Sequence, residues 1–149
     1  MQSPEAISQI TSNLYLGGYA YNRDGKNTLV SLLKTLKITD IINCAAEVPN
    51  YLTVGDNISY TKHNWYDMPQ FSLFPSIVVA EDHLNRMITA NKRVYVHCYM
   101  GVSRSVSLVV FHLMKRRGWT YQQALFYVRQ RRRTANPNPG FVAQLLRTY

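Results

Sequence analysis

The 149 residues carry 17 Lys and Arg against 8 Asp and Glu, a formal net charge of +9, and this length suits one domain, 1–149, able to bury about two-thirds of its unfolded surface without staples. Two cysteines, Cys44 and Cys98, stand far apart in the chain, which excludes a disulfide framework and points to a reducing cytoplasm or nucleus. No window approaches about 18 continuous apolar residues and Met1 to Glu5 lead into no apolar core, so neither a membrane span nor a secretory signal is expected.

Ile7 to Gly18 places two short apolar pieces around a Thr-Ser-Asn turn, the pattern of a hairpin. Tyr19 to Lys26 is polar and turn-rich. From Asn27 the residues Leu29, Val30, Leu32, Leu33 and Leu36 recur at helical spacing, with Asn27 or Thr28 available as N-cap. Ile38 to Cys44 then switches to a strand, with Asp40 before Ile41 and Ile42 marking a buried parallel strand rather than an alternating one. Ile58 to Trp65 reads as a further strand, and Tyr66-Asp67-Met68-Pro69 leaves it as a loop, because Pro69 disfavours helix at Met68. Phe74 to Asn91 sets Ile77, Val78, Ala80, Leu84, Met87 and Ile88 on one helical face, with a start near Pro75 or Ser76.

Val94 to Ser105 reads Val-Tyr-Val-His-Cys-Tyr-Met-Gly-Val-Ser-Arg-Ser: a short buried strand, a tight loop, and the start of an apolar helix through Met114. A loop that winds into a helix N-terminus points unpaired backbone N–H groups at one spot, and the helix dipole adds positive potential there. Such a place holds an oxyanion such as phosphate. Cys98 lies in the same field. A thiol of pKa about 8.5 falls to roughly 3.5–7.5 at helix N-termini or beside cations, so a thiolate is expected near neutral pH. Arg104 offers a planar fork able to grip two phosphoryl oxygens, and Gly101 stands midway, where a turn would be hard for other residues. This arrangement asks for a thiol within reach of solvent and a guanidinium turned toward it.

Gly118 after a basic turn reads as a helix stop, and Thr120 with Gln123 as a capping box. The helix that follows buries Ala124, Leu125 and Val128. Asn136-Pro137-Asn138-Pro139-Gly140-Phe141 forms a rigid turn before a last helix through Phe141, Val142, Leu145 and Leu146. Lys115 to Arg117 and Arg129 to Arg133 concentrate the excess charge, either as a solvated face or as a surface that attracts anions.

The run His97-Cys98-Tyr99-Met100-Gly101-Val102-Ser103-Arg104-Ser105 fits His-Cys-x5-Arg-Ser/Thr and resembles the signature of the cysteine-dependent protein tyrosine phosphatases. Leu14-Tyr15-Leu16-Gly17-Gly18, Asn43-Cys44-Ala45-Ala46-Glu47 and Pro137-Asn138-Pro139-Gly140-Phe141 are similar to segments of the compact dual-specificity members. The resemblance implies an α/β fold: one compact domain with a mostly parallel central sheet flanked by helices. It implies Cys98 as nucleophile, Arg104 and the loop N–H groups of Tyr99, Met100, Gly101, Val102 and Ser103 as phosphate ligands, Asp67 as general acid, and Ser105 as donor to the sulfur. His97, Asn43 and Asn138 then support the loop. No metal or other cofactor is implied. Cys44 reads as a buried thiol, and some relatives pair a strand-end cysteine with the nucleophile under oxidation.

These residues allow hydrolysis of phosphotyrosine, phosphoserine and phosphothreonine through a cysteinyl phosphate. Phosphorylated proteins are the expected partners, with phosphoinositide or RNA open as other anionic ligands. Two alternatives remain at this point: an RNA 5′-phosphatase of the same superfamily, which the charge suits, and a phosphoprotein-binding protein without activity. Asp67 favours protein substrates, since such RNA enzymes often lack the acid, and Cys98 with Arg104 argues against a silent binder.

Overall fold

A computed structural model describes residues 7–148. Its centre is β5 (Val94–His97), a strand with every residue buried. β5 pairs in parallel with β2 (Leu14–Gly17) on one side and β3 (Asp40–Asn43) on the other. β1 (Ile7–Thr11) adds antiparallel to β2 through the expected hairpin, and β4 (Ser59–Lys62) adds parallel to β3, giving the order β1-β2-β5-β3-β4. β3 and β4 are shorter than the predicted 38–44 and 58–65 and cover only the residues in register with β5 and β3.

Strand side chains alternate between faces, and the two faces hold separate cores. Leu14, Leu16, Ile42, Val94 and Val96 face a large core built with α2 (Ser76–Thr89), α3 (Arg104–Arg117), α4 (Tyr121–Arg131) and α5 (Pro139–Leu146). Tyr15, Ile41 and Tyr95 face a smaller one with Leu29 and Leu33 of α1 (Arg23–Thr35). Each buried Leu or Ile contributes about 1.5–3 kcal/mol, so the sheet is held from both sides and its C-terminal edge is a fixed platform.

The first helix starts four residues before the predicted Asn27. Asn22 caps it, its side chain accepting from Gly25 N–H at 2.6 Å. The cap satisfies an otherwise orphan N–H, which lets the polar stretch 23–26 join the helix. α2 begins at Ser76 as expected, but Val78 is 38% exposed while Glu81 is completely buried. Glu81 accepts from His112 Nδ1 (2.8 Å) and from Arg116 Nε (2.9 Å) and Nη2 (2.8 Å). Burial works to raise its pKa, and those hydrogen bonds overcome burial and hold the carboxylate below its ordinary range. Arg116, predicted as part of a free basic run, is thus an internal tie between α2 and α3. Gly118 stops α3 in the left-handed region at φ 67°, and Thr120 and Gln123 close the capping box of α4.

Candidate active site

β5 ends at His97 and the chain bends through residues 98–103 into the first turn of α3. The bend is possible because Gly101 sits at φ +68°. A Cβ there would stand 2.5 Å from the Arg132 guanidinium and 2.7 Å from the Gly17 carbonyl. The loop winds around one atom: Cys98 Sγ lies 3.0 Å from Ser105 Oγ and 3.3 Å from Gly101 N. Both groups can donate to a sulfur that carries negative charge. The thiol expected within reach of solvent is only 2% exposed, because the donors that surround the sulfur also cover it, leaving it at the floor of a cradle.

Arg104 is turned inward, 4% exposed. Its Nη1 and Nη2 donate to the two carboxylate oxygens of Glu47, each at 2.6 Å, and Nη1 also donates to the Trp65 carbonyl at 2.9 Å. Nε is buried with no protein acceptor. A buried orphan donor is costly unless a ligand completes it. The hydrogen bonds from Arg104 hold the Glu47 carboxyl below its ordinary pKa.

Glu47 is a site residue that the sequence reading left without a role. The turn that presents it is tied down locally. Asn43 Oδ1 accepts from Ala45 N–H (2.9 Å), Asn43 Nδ2 donates to the Val48 carbonyl (2.6 Å), and Lys62 Nζ donates to the Ala45 and Val48 carbonyls (2.6 Å each). Asn43, expected to support the loop of Cys98, instead orders the turn of Glu47 and reaches the phosphate loop only through the Glu47–Arg104 pair. The reason is reach: Asn43 is the last residue of β3, and its side chain meets the chain that turns back over it.

His97 is buried, with Nδ1 3.3 Å from the Cys98 carbonyl. Burial depresses its pKa to about 4, so the imidazole is neutral at physiological pH and suited to orient the carbonyl. Arg132, predicted within a surface run, is 5% exposed and holds the outer wall of the loop. Its Nε donates to the Gly101 carbonyl at 2.7 Å, its Nη2 to the Met100 carbonyl at 3.3 Å, and its Nη1 to Ser8 Oγ at 3.1 Å. With those carbonyls drawn outward, Gly101 N–H is left to turn in toward the sulfur.

Asp67 stands on the exposed loop after Trp65, the residue whose carbonyl Arg104 grips. Asn138 Nδ2 donates to Asp67 Oδ1 at 2.9 Å, while Asn138 Oδ1 caps α5 by accepting from Phe141 N–H and its own N–H donates to Ser103 Oγ. One asparagine therefore ties the carboxylate, the last helix and the phosphate loop together. A Cβ on Gly140 would lie 1.7 Å from the Pro69 carbonyl, so only glycine lets α5 press against the Asp67 loop.

Residues 15–149 match the family model of the dual specificity phosphatase catalytic domain. The chain belongs to the dual specificity phosphatases. It is 33% identical over 148 residues to dual specificity protein phosphatase 1B of Arabidopsis thaliana, covering 97% of this chain and 83% of that one. It is 34% identical over 140 residues to the Arabidopsis thaliana protein-tyrosine-phosphatase MKP1, covering 93% of this chain but only 17% of that longer protein. The crystal structure of DUSP15 superposes with a TM-score of 0.82 at 26% identity over 95% of this chain and 85% of that one. In this dual specificity phosphatase a cluster of tyrosines borders the loop: Tyr19 N–H donates to the Tyr99 carbonyl at 2.6 Å, and its ring meets those of Tyr51 (4.9 Å) and Tyr99 (5.6 Å).

Proposed function

We propose that the chain removes phosphoryl groups from phosphorylated proteins, tyrosine and serine or threonine alike, by two in-line displacements on Cys98. The observation that carries this reading is that Gly101 N–H and Ser105 Oγ converge on Cys98 Sγ at the start of α3, where Arg104 keeps a buried Nε with no protein acceptor. In the first step the thiolate forms a bond to phosphorus while the ester P–O bond breaks. The free Oδ2 of Asp67 delivers its proton to the departing oxygen, a contribution of typically 10²–10⁴-fold. In the second step Asp67 takes a proton from water, which displaces the sulfur and releases phosphate. Arg104 Nε and the N–H groups of residues 99–104 hold the equatorial oxygens, and such preorganised donors are worth about 3 to 4 kcal/mol each by analogy with oxyanion holes. Ser105 Oγ donates to the sulfur and makes it a better leaving group. His97, Glu47 and Asn138 hold the groups that touch substrate. The chemistry needs a reduced thiol and suits the cytoplasm or nucleus.

The tyrosine border favours an aryl phosphate on a protein over a phosphoinositide or an RNA 5′ end. The test is a panel of phosphotyrosine and phosphothreonine peptides, phosphoinositide, and triphosphate-ended RNA. Turnover of the peptides is expected to lead, and faster release from RNA would displace this reading. Cys98→Ser should abolish turnover and retain vanadate binding. Iodoacetate should alkylate Cys98 alone, and phosphate should protect it; an unreactive Cys98 would mean that its cover is permanent and the nucleophile assignment wrong.

A further inference from the structure

All 8 acidic residues lie at or before Asp82, whereas 12 of the 17 Lys and Arg lie after it. The second half of the chain therefore carries its positive charge with no carboxylate of its own, an asymmetry that points to an anionic partner. On α4 this charge meets apolar surface. Gln123, Phe126, Tyr127 and Gln130 follow at helical spacing on one face and, with Trp119, line a shallow cavity of about 300 Å³. Phe126 is 67% exposed, an unusual place for a large ring without a partner. Arg117 lies over the rings of both Trp119 (5.0 Å) and Tyr127 (5.3 Å), and Arg131 lies 3.6 Å over Tyr127. Cation–π attraction holds each guanidinium over a ring and leaves it N–H donors that a carboxylate can bind.

We infer that this strip docks an acidic peptide segment with one apolar anchor residue, carried by the phosphoprotein substrate; the inference rests on the phosphatase reading above. The anchor seats against Phe126 in the cavity, and its flanking carboxylates meet Arg117 and Arg131. Nucleic acid fits less well, since bases need free ring faces and arginines already occupy those of Trp119 and Tyr127. The strip also leads toward the site. α4 runs back along α3, from Thr120 beside the end of α3 to Arg132 beside the phosphate loop at its start. Phe126 stands six residues before Arg132, roughly 9 Å along α4, and the far end of the strip lies roughly 21 Å away, so an extended chain at about 3.3 Å per residue covers the path with the anchor roughly three to six residues from the phosphorylated one.

The test uses three phosphotyrosine peptides with the same core: one with an Asp-Glu-Leu-Glu-Asp segment whose Leu stands about five residues from the phosphotyrosine, one with Leu replaced by Ser, and one without the segment. KM for the first is expected about tenfold below that for the third at low salt, with the Ser peptide in between. The advantage should vanish in Phe126→Ser and in Arg117→Glu, while turnover of p-nitrophenyl phosphate stays unchanged because these side chains are exposed. Equal KM for all three peptides, or an advantage that survives both substitutions, would overturn the inference. Fluorescence anisotropy of the unphosphorylated segment on Cys98→Ser protein reads docking without chemistry. Binding there with no turnover by the wild type would retain docking and reject the catalytic reading, whereas turnover without binding rejects docking alone. If oligouridylate displaces the segment and Phe126→Ser abolishes its binding, the strip is a nucleic-acid site and the peptide assignment fails.

Discussion

Replacing Glu47 isolates how much of phosphate recognition is orientation of one guanidinium. Arg104 makes two 2.6 Å bonds to Glu47 and one 2.9 Å bond to the Trp65 carbonyl, so Glu47 fixes the plane in which the unpartnered Nε points. A hydrogen bond to a charged group is worth about 1.5–3 kcal/mol, and the Glu47 side chain is 48% exposed, which places each of its bonds near the lower value of ~1.5 kcal/mol. Glu47→Gln keeps one acceptor and loses the charge, a cost of about one bond and thus ~10-fold in kcat/KM. Glu47→Ala loses both bonds, ~100-fold, with Arg104 kept inside by Trp65 alone. The assay is kcat/KM on a phosphotyrosine peptide, together with the inhibition constant of vanadate, which fills the phosphate site without leaving-group chemistry. Both constants should worsen in parallel, since the lost interaction serves every phosphate-like ligand. Wild-type values of both in Glu47→Ala would show that the cradle orients Arg104 unaided and refute the role of the pair.

Arg132→Met should weaken vanadate binding by about tenfold and lower Tm by roughly 5 °C, since two loop carbonyls lose their buried donor; unchanged vanadate affinity would make Arg132 a stability element only. Asn138→Ala should slow a phosphothreonine peptide by about tenfold more than p-nitrophenyl phosphate, because the alkyl leaving group depends on Asp67 and the aryl one hardly does. An equal loss on both substrates would place the effect in the phosphate loop instead. His97 has its pKa depressed from 6.5 to about 4, so the unfolded chain binds the proton first as pH falls. Its contribution is complete above pH 6.5 and is lost between 6.5 and 4, roughly 3 kcal/mol in all. Urea unfolding at pH 7.5 and 4.5 should show that loss in the wild type and a smaller one in His97→Asn. Cys44 N–H donates to the His97 carbonyl at 2.8 Å, one step past the β3–β5 register, which makes Cys44 the ladder neighbour of Cys98. Burial raises the Cys44 thiol pKa well above the ordinary value, so Cys98 should oxidise first. Mild peroxide should yield a 44–98 linkage by mass spectrometry in the wild type and leave Cys44 reduced in Cys98→Ser.

The parts readable from the chain alone were those set by local chemistry. The strand-loop-helix around Cys98 and Arg104 follows from a short apolar run, one glycine at the tight bend and a helix start, all within twelve consecutive residues; the capping box at Thr120 and the stop at Gly118 are local in the same way. Asn138 was legible only through the resemblance of Pro137 to Phe141 to a family segment, and the fold places it at the head of α5. What was not legible depends on partners distant in sequence. Asn22 looked like one more turn residue until the backbone placed Gly25 N–H within its reach. Arg132 looked like its neighbours Arg131 and Arg133, yet it alone turns inward, because the end of α4 comes to rest against the outer wall of the phosphate loop. Nothing near Glu81 or Glu47 in the chain marks a partner, and each meets cations about 30 to 60 residues away. A sequence states which groups can act on a phosphoryl ester, since residue type and near spacing determine reactivity. Which charges are left free to do so was decided only by folding, because a charge is bound or free according to what the tertiary structure brings beside it.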